Sequence, residues 1–122
     1  MIEFDFDSNR PIYIQLVEQL ELYIISGKIP PGSRLPSVRD FALQAKVNPN
    51  TMQRALAEIE DSKLIYTERT NGKFITTDAT LLNKYRERFI TNRIQDFLSE
   101  MSTLGFDQKM IIKYLKLQGG NK

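Results

Sequence analysis

The sequence contains no cysteine and no histidine. These absences exclude disulfides, thiol nucleophiles, Cys/His zinc sites and imidazole acid–base chemistry. They count against hydrolytic and metal-dependent enzymes, so we expect no catalytic residues, no metal site and no cofactor. No apolar run approaches the roughly 18 residues of a membrane span, and the acidic N-terminus (residues 1–7) lacks the build of a signal peptide. We therefore expect a cytoplasmic protein that does not bind membranes.

Charge is unevenly distributed along the 122 residues, although the net charge is only +2. Residues 1–27 carry five acidic side chains and one basic side chain, Arg10. Residues 28–54 carry one acidic side chain and five basic ones: Lys28, Arg34, Arg39, Lys46 and Arg54. A basic stretch within a nearly neutral chain suits contact with a polyanion, although charge alone fits a solvated surface equally well.

The first predicted helix begins at Pro11, because the missing N–H of proline is not needed at the first helical position. Apolar residues then recur every three or four positions up to Ser26, with Gly27 as the expected C-cap. The predicted buried stripe is Ile12, Leu16, Leu20, Tyr23 and Ile24. Prolines in residues 28–36 predict an extended connector after this helix.

Two shorter helices follow the connector. Residues 37–40, Ser-Val-Arg-Asp, are a variant of the capping box and predict a helix that ends near Ala45. Asn48 as cap and Pro49 at the first helical position predict a third helix, which ends near Asp61. Its predicted inward face is Met52, Ala55, Leu56 and Ile59.

The period of the apolar pattern then changes to two. Residues 64–68 and 73–77 predict short strands, and Asn71-Gly72 between them is a strong hairpin signal. From Ala79 the spacing returns to helical, breaks at 103–106, and resumes in a last helix capped by Asp107 and fraying from Gly119. The expected fold is mainly α with a small β-hairpin (α+β): a winged helix-turn-helix domain in residues 1–78 and two helices for dimerisation in residues 79–122.

Two short helices joined by a tight turn, the second with polar side chains near its N-terminus, are typical of a DNA-reading helix-turn-helix. The major groove, about 12 Å wide, admits one such helix. Helix N-termini favour phosphate. The predicted hairpin around Gly72 and Lys73 is the wing of such a domain, and its glycine lets it approach the duplex closely. The residues predicted to contact double-stranded DNA are Ser37, Arg39, Asn48, Asn50, Thr51, Gln53, Arg54, Gly72 and Lys73.

Each of these residues also has a purely structural interpretation. Ser37 and Asn48 are foremost helix caps, a role that is compatible with phosphate contact. The arginines, taken singly, are ordinary surface charges, and Thr51 has the alternative of facing the second helix. Lys73 in a hairpin often only protects an edge strand from aggregation.

Residues 22–42, LYIISGKIPPGSRLPSVRDFA, closely resemble the N-terminal domain of GntR-family regulators. The family pattern is Ile-x-x-Gly followed by Pro-Gly-x-x-Leu-Pro-Ser-x-Arg-x-Leu-Ala. The resemblance continues through residues 47–56 and ends in the wing at 71–75. It implies a winged helix that binds operator DNA as a dimer. It places six residues at positions where relatives touch DNA: Ser37, Arg39, Asn50, Thr51, Arg54 and Gly72.

The chain departs from the family pattern at three places. Asn48-Pro49 stands where the family often has Ser-Arg, and Lys63 stands where it often has glycine before Leu-Ile. Thr70 replaces the first glycine of the usual Gly-x-Gly in the wing.

The short tail resembles that of the YtrA subfamily, in which two helices serve dimerisation in place of a large ligand-binding domain. An apolar stripe on so short a segment cannot bury itself, so we expect a homodimer. The predicted dimerisation residues are Tyr85, Phe89, Ile94, Phe97 and Met101, and the alternative that they pack on their own winged helix stays open. A small-molecule effector between subunits or beside the wing is also left open, although two short helices leave little room for an enclosed pocket.

The resemblance implies a dimeric repressor that binds an inverted-repeat operator of an operon, with a link to transporter genes. One alternative is a winged helix used for protein interaction, which predicts an acidic or apolar outward face on the third helix. Another is an enzyme, which needs a convergent set of catalytic groups that the sequence does not offer.

Overall fold

The computed structural model describes residues 2–119, and its elements follow the predicted order of three helices, a hairpin and two further helices. They are α1 Ile12–Ile25, α2 Val38–Ala45, α3 Pro49–Asp61, β1 Ile65–Glu68, β2 Gly72–Ile75, α4 Ala79–Thr103 and α5 Gln108–Gly119. The predicted fold class is confirmed. No helix among the described residues is long and apolar enough to cross a lipid bilayer.

The chain divides into two compact units, and the boundary lies inside α4. The first unit ends at Tyr85 and the second begins at Arg86. Residues 79–85, which the sequence analysis assigned to the tail, are therefore part of the first unit.

The first unit has a continuous apolar core. In it α1 packs on α3, α2 packs on α3, and α3 packs on β1. The largest fully buried side chains are Phe41, Leu16, Leu20, Ile24, Met52, Leu56, Ile59, Leu64, Ile65 and Ile75. The inward face predicted for α3 is confirmed, because all four of its residues are buried. Each large apolar side chain stabilises the fold by about 1.5–3 kcal/mol when buried.

The buried face of α1 differs from the predicted stripe. Ile12 is exposed and Tyr23 is only half-buried, whereas Gln15 is buried. Gln15 is buried because the extended N-terminal segment runs along α1 and pairs with the Gln15 side-chain amide. The Gln15 Oε1 accepts from the Asp7 N–H at 2.9 Å, and its Nε2 donates to the carbonyls of Asp7 and Arg10 at 2.9 and 2.8 Å. An amide with these bonds made can be buried without an unsatisfied group.

Each of the first three helices ends at a residue in the left-handed region, which is Lys46 (φ +60°) for α2. Ser26 is the C-cap of α1, and Gly27, the predicted cap, follows it at φ +82°. Lys63 takes the same place after α3 at φ +73°. A β-carbon in this region costs about 1–2 kcal/mol. The family glycine at this position is thereby explained, and Lys63 is strained.

β1 and β2 form the predicted antiparallel hairpin, with Ile65 opposite Ile75 and Glu68 opposite Gly72. Both strands are shorter than the predicted segments. β2 begins one residue early because Gly72 forms the pair that closes the turn.

The connector between α1 and α2 adds a third strand segment to this hairpin, which the sequence analysis did not predict. The Leu35 N–H donates to the Lys73 carbonyl at 2.8 Å, and the Ile75 N–H donates to the Ser33 carbonyl at 2.9 Å. Arg34, between them, is thereby fixed beside β2.

The second unit contains the rest of α4 and all of α5. Asp107 caps α5 as predicted, with its Oδ1 accepting from the Met110 N–H at 3.0 Å. Gly119, where fraying was predicted, is the last residue of α5, and residues 120–122 lie outside the described part of the chain. Within residues 86–119, Ile111 is the single buried side chain.

Candidate nucleic-acid interface

The N-terminus of α3 presents an exposed polar face. The Asn48 Oδ1 accepts from the Asn50 N–H at 2.7 Å, so the predicted cap is confirmed. The side chains beside this cap are Asn50, Gln53 and Arg54, all exposed, and Thr51, half-buried. The face is neither acidic nor apolar, which disfavours the protein-interaction alternative.

Arg54 is held by a contact with α1. Its guanidinium lies over the Tyr13 ring, 4.0 Å from the centroid. The Tyr13 hydroxyl donates a hydrogen bond to the Glu58 carboxylate, one turn after Arg54. This hydrogen bond is the main reason that the pKa of Tyr13 is raised. A guanidinium stacked on a ring is pre-positioned, so less side-chain entropy is lost when it binds.

The N-terminus of α2 presents a second pair of predicted contacts. The Ser37 Oγ accepts from the Asp40 N–H at 3.1 Å, which confirms the predicted cap. Arg39 is exposed on the first turn. At the other end of α2, Lys46 adopts φ +60° and turns the chain towards α3. Ser37 and Arg39 thus lie on the helix that leads directly into the turn before α3.

Lys73 in the wing is engaged within the protein. Its Nζ lies 3.0 Å from the Glu60 Oε1 and 3.0 Å from the Thr67 Oγ1. The Thr67 hydroxyl also donates to Glu60 at 2.6 Å, and this bond, followed by that from Lys73, lowers the pKa of Glu60. The Lys73 charge therefore ties the wing to the C-terminal turn of α3.

Gly72 adopts φ +103°, which favours glycine. A β-carbon there would lie 3.4 Å from the Arg34 Nε and 3.6 Å from its Nη2. The Arg34 guanidinium therefore lies beside Gly72, at a distance that a β-carbon would meet as ordinary van der Waals contact. Thr70, which replaces the first family glycine, is not among the described residues with positive φ, so it needs no glycine.

The residues predicted for dimerisation are divided between the two units. The Tyr85 hydroxyl donates to the Ser62 carbonyl at 3.2 Å, so this side chain packs on its own winged domain. Phe89 is half-buried under the Arg93 guanidinium, 4.7 Å from the ring centroid. Ile94 and Phe97 are exposed by 49% and 43%.

Met101, the fifth predicted dimerisation residue, lines an open apolar groove between α4 and α5. The groove has a volume of about 310 Å³. Its lining is Phe97, Met101, Phe106, Ile111, Tyr114, Leu115 and Gln118. Such a surface suits an apolar partner.

Sequence reasoning missed Tyr13 and Arg34 as residues of this interface. Tyr13 lies three residues before the predicted core position Leu16. Its place in the sequence gives no sign of a contact with Arg54. For Arg34, the alternation in residues 33–35 after Pro-Gly is a weak strand signal that was available. Among the described residues there is no cluster of acidic side chains that could hold a metal ion.

Comparisons with known proteins agree with this geometry. The profile of the family described as "Bacterial regulatory proteins, gntR family" matches residues 12–75. The chain is 33% identical over 111 residues to the uncharacterized HTH-type transcriptional regulator YhcF of Bacillus subtilis, covering 91% of this chain and 92% of YhcF. It is 30% identical over 128 residues to the HTH-type transcriptional repressor YtrA of the same organism, covering 100% of this chain and 98% of YtrA.

Among solved structures, a GntR family transcriptional regulator from Listeria monocytogenes resembles this chain with a TM-score of 0.86 and 38% identity, covering 93% of this chain and 100% of that one. The relatives are regulators, not enzymes. The match along the whole length of YtrA supports the predicted YtrA-like subfamily.

Proposed function

Because the chain belongs to the GntR family of bacterial regulatory proteins, we propose that it is a dimeric repressor that binds an inverted-repeat operator in the cytoplasm. One observation carries the proposal: the exposed, polar N-terminus of α3, where the Tyr13 ring holds Arg54. Polar groups at this end of a recognition helix meet base edges in the major groove.

The residues of this interface divide into two classes. Asn50, Gln53 and Arg54 read bases, because amides pair with adenine and guanidinium pairs with guanine. Ser37, Arg39, Asn48 and Thr51 bind phosphates and set the register of the protein on the duplex. Gly72 and Arg34 at the wing lie against the adjacent minor groove.

The second unit forms the dimer interface. Its exposed apolar side chains include Ile90 (54%), Ile94 (49%), Leu115 (59%) and Leu117 (68%), and the open groove beside Phe97 adds to this surface. Monomeric soluble proteins rarely leave large apolar surfaces uncovered. A second copy of the chain covers it, and two-fold symmetry then places two recognition helices on inverted half-sites.

The choice of repression over activation is based on the similarity to YtrA, which is named a repressor. A link of the regulated operon to transport is an expectation from the family alone. An effector, if the protein uses one, binds between subunits or beside the wing.

Selection of binding sites from a random duplex library tests the proposal. The wild-type chain should select one sequence containing an inverted repeat. In Arg54→Ala, the difference in binding free energy between that duplex and scrambled DNA should fall by about 1–3 kcal/mol. Arg39→Ala should weaken binding to the selected duplex and to scrambled DNA alike. It should also reduce the slope of log affinity against log salt concentration by about one. A wild-type chain that enriches no sequence, or an Arg54→Ala variant with unchanged preference, would contradict the proposal.

A further inference from the structure

The wing contains a cation that does not come from the hairpin itself. Arg34 belongs to the connector between α1 and α2, yet it lies opposite Phe74 of β2 as part of the third strand segment. The Phe74 ring stacks on Tyr66 of β1, with centroids 5.7 Å apart. The backbone bonds of Ser33 and Leu35 on either side hold Arg34 in register. The Arg34 backbone is therefore as fixed as the sheet.

The Arg34 side chain lies beside Gly72 at the start of β2. Its Nε, Nη2 and Cζ atoms lie 3.4, 3.6 and 3.9 Å from where a β-carbon of residue 72 would be. These are ordinary van der Waals distances, so a β-carbon at residue 72 would touch the guanidinium without displacing it, and φ +103° is what favours glycine there. Gly72, the hairpin glycine predicted to approach DNA closely, thus has the Arg34 guanidinium beside it.

Arg34 is available to a ligand, whereas Lys73 is not. The Lys73 ammonium contacts Glu60 and Thr67, and its side chain is only 20% exposed. Arg34 is exposed and makes no ion pair within residues 2–119. Narrow minor grooves attract an unpaired guanidinium that a fixed backbone presents. Arg34 and Lys73 therefore have different roles in the wing.

We propose that Arg34 inserts into the DNA minor groove next to each half-site and makes the wing prefer A·T base pairs there. The inference rests on the proposed operator binding. A·T-rich tracts have a narrow minor groove with enhanced negative potential. Guanidinium is more weakly hydrated than ammonium, so it enters such a groove more readily than a lysine does. Lys73 then acts as a positioning residue that anchors the wing to α3.

The test uses the full chain and the duplex selected by the wild-type protein, prepared with either A·T or G·C base pairs in the flank under the wing. Affinity is measured for both duplexes at several salt concentrations. The wild type should prefer the A·T flank by about fivefold to tenfold. Arg34→Ala should lose that preference and flatten the salt slope by about one unit. Arg34→Lys should keep the slope and lose most of the preference, because the charge remains and the guanidinium does not.

The control is Lys109→Ala, which removes one positive charge from the second unit. It should leave the flank preference unchanged, and the melting temperature of each variant reports whether it is folded. An Arg34→Ala variant with wild-type flank preference overturns the inference while leaving operator binding intact. Equal loss of affinity on both flanks overturns the minor-groove placement. A wild-type chain that selects no duplex removes the proposed function and this inference together.

Discussion

The two units of this chain differ in how far they bury their large apolar side chains. The first unit buries ten large apolar side chains almost completely and leaves a polar face on α3. Within residues 86–119 the second unit buries only Ile111 and leaves Ile90, Ile94, Phe97 and Leu115 at least two-fifths exposed. The first unit has the core of an independent domain, whereas the second leaves most of its large apolar side chains exposed, as the proposed dimer requires.

This difference separates stability from association. Substitutions in the core of the first unit should act on the unfolding of each chain. Substitutions on the apolar face of the second unit should act on the encounter of two chains.

The largest effect is expected from Phe41→Ala in the first unit. Phe41 is fully buried and contacts the Phe4 ring, with centroids 5.9 Å apart. Its truncation should lower the free energy of unfolding by about 3–5 kcal/mol, measured by urea denaturation. Leu43→Ala on the same helix is the control, because Leu43 is 69% exposed. A change there as large as that at Phe41 would contradict the assignment of the core.

The next effect is expected from Phe97→Asp in the second unit. A carboxylate buried without a partner should weaken self-association by about a hundredfold, measured by sedimentation. The melting of the first unit should stay unchanged at low protein concentration. Gln95→Asp, an exposed site on the same helix, should leave the dimer intact. A Phe97→Asp variant that remains dimeric would place the interface elsewhere.

A smaller effect is expected at Tyr13, which lies under Arg54. Tyr13→Leu removes the ring and should lower the preference for operator over scrambled DNA by about 0.5–1 kcal/mol. Tyr13→Phe keeps the ring and loses only the hydrogen bond to Glu58, so it should retain most of the preference. Competition binding checks both. Loss of the same size in both variants would assign the effect to the hydroxyl instead.

An effect similar in size to that at Tyr13 is a gain of stability from Lys63→Gly. Relief of the left-handed strain at φ +73°, about 1–2 kcal/mol, exceeds the extra backbone entropy of glycine, about 0.5–1 kcal/mol. The unfolding free energy should therefore rise by about 0.5–1 kcal/mol. Lys63→Ala keeps the β-carbon and should bring no such gain, so equal gains in both variants would refute the strain.

Local chemistry explains what the sequence predicted correctly. The caps Ser37, Asn48 and Asp107 are each read from a few neighbouring residues, and the structure makes all three bonds. The boundaries of α3 follow from its cap and from Pro49 in the same way.

The features that the sequence did not predict depend on distant pairings. The third strand segment joins residues near 34 to residues near 74, and the buried Gln15 depends on a segment eight residues earlier. The stacking of Arg54 on Tyr13 spans α1 and α3. No local period encodes these contacts, and two of them place Arg34 and Arg54 in the candidate interface.

The most direct measurement compares the DNA selected by the full chain with that selected by a chain ending at Tyr85. The shorter chain keeps the whole core of the first unit. We expect the full chain to select an inverted repeat occupied by two protomers, and the shorter chain to select a single half-site more weakly. Selection of the same inverted repeat by both chains would contradict the division of roles between the two units.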